Sequence, residues 1–193
     1  MSIKKEIRTA EMRILPSDNE MIVEGYAAVF EQATVIWEYD GVQYKEIIAR
    51  GAFDGADLKD VCFKYNHRDD TMIMARTRSK TLTLTIDDKG LAIRASLAPT
   101  SAGKDLYELI KRGDIDRMSF AFNVDADAYD RATQTRTINR FKKIYDVSAV
   151  DVPAYDQTSI SARSYFDTQR DFQEKIKQKN EVRKKRIIIA TYL

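Results

Sequence analysis

Two neighbouring segments of the chain alternate apolar and polar residues, and this pattern constrains the fold more than any other feature. The apolar positions are Leu82, Leu84 and Ile86 in the first segment and Leu91, Ile93, Ala95 and Leu97 in the second. Side chains of a β-strand point alternately to opposite faces, so each segment has the period of a strand. Residues 87–90 between them read Asp-Asp-Lys-Gly and predict a turn in which Gly90 has a positive φ. Residues 81–97 therefore predict a β-hairpin.

The rest of the chain up to residue 162 also reads mainly as short strands. Strands are predicted over residues 21–30, 61–65, 117–124, 137–141 and 144–152, the last one ended by Pro153. One helix is predicted over 102–112, capped by Thr100 or Ser101 and stopped by Gly113. The predicted fold class is mainly β with flanking helices (α+β), arranged as an antiparallel β-barrel or sandwich.

The composition changes near residue 162. From residue 161 onward, nine Lys and Arg oppose four Asp and Glu, a balance of +5, while residues 1–160 carry −3 of the net +2. We therefore predict two parts: a domain over residues 1–162 and a basic helical C-terminal arm over 163–193, mobile or dependent on a partner. The cluster Arg183-Lys184-Lys185-Arg186 permits contact with phosphates. Because the body lacks a positive surplus, nucleic-acid binding is not the favoured function.

Several classes of protein are disfavoured by simple counts. No stretch approaches the ~18–20 apolar residues of a membrane helix, and the N-terminus does not read as a secretory signal. The chain has one cysteine, Cys62, and one histidine, His67, so neither an internal disulfide nor a four-ligand Cys/His zinc site is expected. A reducing cytosol and no membrane partner are the expectation.

The same counts limit nucleophilic catalysis to few residues. Ser119 lies on a predicted strand with small Ala121 on the same face, which leaves room for a peptide to approach. His67, just after a strand, is the single histidine and so the single candidate for a general base of that type. Cys62 is a rival nucleophile, but an extended strand would separate it from His67 by roughly 16 Å. Most serines on strands have no catalytic role, so the pattern alone does not assign one to Ser119.

The pattern of residues does not decide which acid would orient the imidazole of His67. Asp69 and Asp70 follow His67 directly, and Asp146 and Asp151 lie near later strands. The adjacent pair is more typical of a solvated turn.

Six separate segments resemble one family in its order along the chain, the prohead (capsid maturation) proteases of tailed phages. The segments are 24–30 (EGYAAVF), 46–53 (EIIARGAF), 66–69 (NHRD), the hairpin at 81–84 and 88–91, 112–115 (RGDI) with 118–122 (MSFAF), and 146–150 (DVSAV) with 153–155 (PAY). The resemblance covers about residues 20–160. This chain departs from the family at Arg68, where an acid is usual, and at Ala121, where glycine is common.

The resemblance implies an assemblin-like β-barrel and a serine endopeptidase with Ser119 as nucleophile, His67 as base and Asp146 as third member. Herpesvirus assemblins use a second histidine there, which this chain lacks. It implies no metal and no cofactor. The implied partners are the major capsid protein precursor with its scaffolding segment, and the chain itself, through self-cleavage and a homodimer. The implied location is the host cytoplasm, inside the assembling prohead. The alternative is a catalytically inactive barrel that acts as a capsid-assembly scaffold.

Overall fold

A computed structural model of the chain describes residues 6–14, 20–151 and 159–191. Its elements are β1 (Glu6–Ile14), β2 (Ile22–Val29), β3 (Thr34–Tyr39), β4 (Val42–Ile48), β5 (Cys62–Tyr65), β6 (Ala75–Arg76), β7 (Leu82–Ile86), β8 (Gly90–Ser96), α1 (Ser101–Arg112), β9 (Arg117–Asp130), β10 (Thr135–Val150) and α2 (Ser159–Thr191). The predicted class, mainly β with helices, is confirmed. No helix in these ranges is long and apolar enough to span a membrane. Pro153 lies outside the described residues.

The strands form one mixed sheet whose order is open at both ends. The order is β3-β4-β10-β9-β1-β2-β8-β7, and β5 joins β10 and carries β6 at its other edge. The described strands do not close into a barrel, so the barrel expected from the resemblance is not confirmed. The expectation of purely antiparallel pairing is wrong, because β4 and β5 both run parallel to β10.

The hairpin over residues 81–97 is confirmed as β7 and β8, but the predicted role of Gly90 is wrong. Gly90 does not have a positive φ. A Cβ at this position would lie 2.0 Å from the backbone oxygen of Ala28 on the neighbouring strand. Glycine is therefore required because β2 approaches closely, and the turn itself is closed by Asp87, whose carboxylate accepts from the backbone N–H groups of Lys89 and Gly90.

The predicted helix is confirmed as α1, with both of its ends formed as expected. The Thr100 hydroxyl accepts from the N–H of Gly103 at 3.2 Å, which caps the first turn. Gly113 ends the helix in the left-handed conformation with φ 81°. Leu106 and Ile110 on one face of the helix are buried in the main core.

The two strands predicted over 137–141 and 144–152 are one continuous strand, β10, and the prediction of a break between them is wrong. β10 spans sixteen residues and pairs along its whole length with β9, which also runs beyond its predicted end. Irregular register, at several points between Ile138 and Asp146, lets the long pair bend without breaking. Its other edge is shared: β4 pairs with the first part and β5 with the last.

A network of buried charges ties the first strand to the centre of the sheet. Arg136 on β10 donates to Asp127 at 2.6 Å and to Glu6 at 2.5 Å, and it lies 3.3 Å from Glu46. Arg8 on β1 donates to the same Glu46 of β4. Buried ion pairs are tolerated only when each charge is matched by a partner, and here the partners come from four strands. Removing one member would leave an unpaired charge in the interior.

The long helix α2 is fastened to the sheet by aromatic side chains near its beginning. Phe166 is fully buried, with its ring centroid 5.0 Å from that of Tyr44 and 6.4 Å from that of Trp37. The guanidinium of Arg136 lies 4.3 Å from the ring centroid of Tyr165. Beyond this anchor, the described side chains over 174–183 are exposed. The division at residue 162 stays a prediction.

We expect Phe166→Ala to release α2 from the sheet while the β-body stays folded. Truncating a buried phenylalanine costs about 3–5 kcal/mol, and Phe166 is the fully buried side chain that α2 contributes to this contact. Limited trypsin digestion should then cut faster within α2 in the variant. Phe172→Ala is the matched control, because that ring is half exposed and should contribute little. Equal digestion of both variants would contradict the anchoring role.

Candidate active site

Three neighbouring strands place a set of small and polar side chains on one face of the sheet. Residues paired directly across strands point to the same face, and β10 pairs Ser148 with Ser119 of β9 and with Lys64 of β5. Two residues earlier on β10, the same face carries Asp146. The opposite face belongs to the hydrophobic core. The members of this polar face are Ser119, Ala121, Asp146, Ser148, Cys62 and Lys64.

His67 reaches this face through an unusual backbone turn at the end of β5. The N–H of Asn66 donates to the oxygen of Ala149 at 2.9 Å, which continues the pairing one residue past Tyr65. Asn66 and His67 then adopt positive φ values of 50° and 54°. Two consecutive non-glycine residues in the left-handed region are costly, and such strain concentrates at functional sites. The turn brings the imidazole against β10.

The imidazole of His67 contacts the carboxylate of Asp146. Nδ1 of His67 is hydrogen-bonded to Oδ1 of Asp146, and the side chain of Asp146 is 1% exposed. A carboxylate accepts hydrogen bonds, so the pairing places a ring proton on Nδ1. In the tautomer of neutral imidazole that carries this proton, Nε2 is an acceptor. It is buried and finds no hydrogen-bond partner among the described residues.

Ser119 presents a second buried polar atom without a partner. The residue has no exposed surface, and its Oγ forms no hydrogen bond within the described part of the chain, His67 included. Leaving a buried hydroxyl unsatisfied costs about 1–3 kcal/mol, so such groups require an explanation. Nε2 of His67 can accept a hydrogen bond, and the hydroxyl of Ser119 can donate one. Both lie on the same face of the sheet, and a serine nucleophile and its base need this combination of acceptor and donor.

The other acids considered from the sequence bind other side chains. Asp70 forms a bidentate pair with Arg68 in the exposed loop after His67. Asp151 accepts from the hydroxyl of Tyr65 at 2.7 Å. Of the alternatives, Asp146 is the acid for which the structure gives a contact with the imidazole.

Lys64 lies on the polar face but is poorly suited to act as a base. Its ammonium donates to Asp69 at 2.5 Å. Burial lowers the pKa of Lys64, but the hydrogen bond to Asp69 and the negative charge of Asp146 outweigh it and raise the pKa above its usual value. Lys64 therefore stays protonated and contributes a fixed positive charge next to Asp146.

Cys62, the rival nucleophile, lies opposite Asp146 on β5 and is buried. Burial raises the pKa of the Cys62 thiol, with the charge of Arg76 acting in the opposite direction. The thiolate is the nucleophilic form of cysteine, so a raised pKa makes Cys62 a weaker candidate. The expectation that it is a small buried residue agrees with this position.

Sequence reasoning missed two residues of the polar face, Ser148 and Lys64. Ser148 is fully buried and hydrogen-bonds both His67 and Asp146. The signal available was its position two residues after Asp146, which places both side chains on one face of a strand. Lys64 precedes His67 by three residues. Its position on the polar face depends on the parallel register between β5 and β10, which the sequence does not give.

Comparison with protein families gives one match, which includes all three residues singled out for catalysis. The family model described as caudovirus prohead serine protease matches residues 5–172. Comparisons with curated proteins and with solved structures found no match. The matched range covers most of the 193 residues. The chain belongs to the caudovirus prohead serine protease family.

Proposed function

We propose that the chain is a serine endopeptidase that cleaves the major capsid protein precursor and its scaffolding segment, and itself, during maturation of a phage prohead. The family supports a capsid maturation protease in general. The observation that most supports catalysis by this chain is the contact between His67 and Asp146, which leaves Nε2 free on the face that carries Ser119.

The proposed reaction uses Ser119 as nucleophile and His67 as general base. Nε2 of His67 takes the hydroxyl proton while Oγ of Ser119 bonds to the carbonyl carbon of the peptide. His67 returns that proton to the leaving nitrogen as the C–N bond breaks, which yields an acyl-enzyme and an amine. Water then attacks the ester through the same base, and the new acid and the free serine are released.

Asp146 supports this proton transfer in two ways. Its carboxylate holds the proton on Nδ1, so Nε2 is the ring atom left to accept the proton of Ser119. It also stabilises the imidazolium that exists between the two proton transfers. Because Asp146 is almost fully buried, its charge is poorly screened by solvent and acts strongly on the ring.

The burial of Ser119 requires a movement before substrate can react. Its Oγ has no exposed surface, so a peptide carbonyl reaches it only after neighbouring atoms shift. This closed state is also the observation that favours the alternative function, an inactive scaffold protein for capsid assembly. The two functions differ in whether Ser119 ever forms a covalent adduct.

Finer features of the proposal rest on the family resemblance, together with the charge of the C-terminal segment. They are an assemblin-like barrel, self-association into a dimer, action in the host cytoplasm inside the prohead, and a basic arm over residues 163–193 that is packaged with the scaffold or removed by self-cleavage. The exposed lysines of α2 suit contact with an acidic protein surface.

Co-expression with the capsid precursor of the same phage tests the proposed function. We expect intact mass spectrometry to show a shortened precursor with one new terminus, and a fluorophosphonate to block this cleavage and to label Ser119. Small reagents of this class need a reactive serine, so labelling also shows that the site opens. A precursor that stays intact beside an unlabelled Ser119 would support the scaffold function. Cleavage that persists in the presence of the reagent would exclude a serine mechanism.

A further inference from the structure

Ser148 is the residue at the centre of the polar face, and neither the sequence motifs nor the proposed mechanism gives it a role. We propose that Ser148 is a positioning residue that holds both His67 and Asp146 in the geometry needed for proton transfer. The proposal rests on the proposed protease function, because it concerns the same site.

The hydroxyl of Ser148 bridges the other two side chains. Its Oγ accepts from the backbone N–H of His67 at 3.2 Å and lies 3.1 Å from Oδ1 of Asp146. It also lies 3.2 Å from Nδ1 of His67. A hydroxyl has one proton to donate, and the carboxylate is the acceptor-only partner, so this proton goes to Asp146. Ser148 thus orients the acid and anchors the backbone of the base.

The backbone contact matters because of the conformation that it restrains. His67 has a positive φ, which an ordinary side chain adopts only when the surrounding structure holds it there. The hydrogen bond from its N–H to Ser148 is part of that restraint. Without it, the turn at Asn66 and His67 is free to relax toward negative φ, which would swing the imidazole away from β10.

Solvent is poorly placed to replace the Ser148 hydroxyl. Ser148 has no exposed surface, and Asp146 beside it is 1% exposed. Its neighbours in register are Ser119 on β9 and Lys64 on β5, so the hydroxyl is enclosed by strands on both sides. Removing it takes away the acceptor of the His67 backbone N–H and one of the donors to Asp146.

The loss should also weaken the contact between His67 and Asp146. The hydroxyl of Ser148 donates to Oδ1 of Asp146, the same oxygen that contacts Nδ1 of His67. Without this donor, the carboxylate is less firmly oriented toward the ring.

A matched pair of variants isolates the hydroxyl. Ser148→Thr keeps the hydroxyl and adds a methyl group. Ser148→Val has the shape of threonine but no hydroxyl, so both variants have the same steric cost. Ser148→Ala extends the test without added bulk. Because His67 is the only histidine, the NMR signal of its ring Nδ1–H can be assigned without overlap. Recording it in a Ser119→Ala background prevents self-cleavage, and the otherwise unmodified variants serve for kinetics.

We expect the Nδ1–H signal of His67 to be retained in the Thr variant and broadened or lost through faster exchange with water in the Val variant. The kcat for precursor cleavage should be roughly tenfold lower in Val than in Thr, with KM little changed, since positioning acts on the chemical step. The Ala variant should follow Val. An Nδ1–H signal that is equally protected from exchange in Thr and Val would overturn the proposal.

The two proposals fail in different ways. If the wild-type chain cleaves nothing, the protease function fails, and the Nδ1–H signal of His67 still reports whether Ser148 holds the imidazole. If the wild type cleaves but Thr and Val have the same kcat and the same Nδ1–H signal, Ser148 is a packing residue and the protease function stands.

Discussion

Replacement of Ser119 by alanine is expected to lower precursor cleavage by roughly 10⁴-fold or more. The change removes the oxygen that would form the acyl-enzyme, and the polar face offers no equivalent at that position. Cys62 is not a substitute, because burial raises the pKa of its thiol. Ser148 is not one either, because its hydroxyl is bonded to Asp146 and to the backbone of His67.

The same substitution should leave stability unchanged or slightly improved. Oγ of Ser119 makes no hydrogen bond within the described residues, so alanine removes an unsatisfied buried group rather than a contact. A higher free energy of unfolding together with lost activity is expected when a functional residue destabilises the fold. Thermal unfolding of the two proteins measures this directly.

Ser101→Ala is the matched control for Ser119→Ala. Ser101 is exposed at the start of α1, where alanine is a good helix former, and the cap is supplied by Thr100. This variant should process the precursor like the wild type, as read from intact masses after co-expression. Equal cleavage by the Ser119→Ala protein would remove Ser119 from the mechanism.

The elements that sequence reasoning predicted well are those fixed by local chemistry. The β7–β8 hairpin follows from strict alternation over a short distance. Helix α1 begins where the hydroxyl of Thr100 caps it, and it ends at Gly113, which has no side chain. In both cases the residues that determine the structure lie within a few positions of it.

The features that the sequence did not reveal depend on distant partners. The sequence predicted a break between two strands at Lys142 and Lys143. In the structure, β10 continues through both residues because it pairs with β9, with a shift in register. Parallel pairing of β5 with β10 joins residues 84 positions apart, as between Cys62 and Asp146. Gly90 is required by the backbone of β2, not by its own turn.

The candidate site divides in the same way. Ser119, His67 and Asp146 could be singled out because motifs of a known family surround them, while composition and spacing alone left the acid open. The structure supplies the contact between His67 and Asp146. Ser148 shares a strand face with Asp146, but its role was missed because a serine on a strand is common and the role depends on a turn that bends His67 back over β10.

Asp146→Asn is expected to lower cleavage by about 10³- to 10⁴-fold while the fold persists. The amide has nearly the shape of the carboxylate, so the packing between β9 and β5 should be retained. It lacks the negative charge that stabilises the imidazolium. If its NH₂ group turns toward Nδ1, the ring proton moves to Nε2, and His67 can no longer accept a proton from Ser119.

Asp125→Asn is the control, since it also neutralises an aspartate in an ion pair. Asp125 pairs with Arg140 at 2.6 Å, and both side chains are largely exposed. Exposed pairs contribute little, so this variant should cleave like the wild type.

The ring Nδ1–H of His67 separates a role of Asp146 in the mechanism from a role in the fold. Nδ1 contacts the buried carboxylate of Asp146, so its proton signal in NMR spectra should be shifted or lost in Asp146→Asn and unchanged in Asp125→Asn. A Ser119→Ala background permits the NMR measurement without self-cleavage. If activity falls but the Nδ1–H signal in Asp146→Asn matches that of the control, the carboxylate does not act on the imidazole and the proposed triad is wrong.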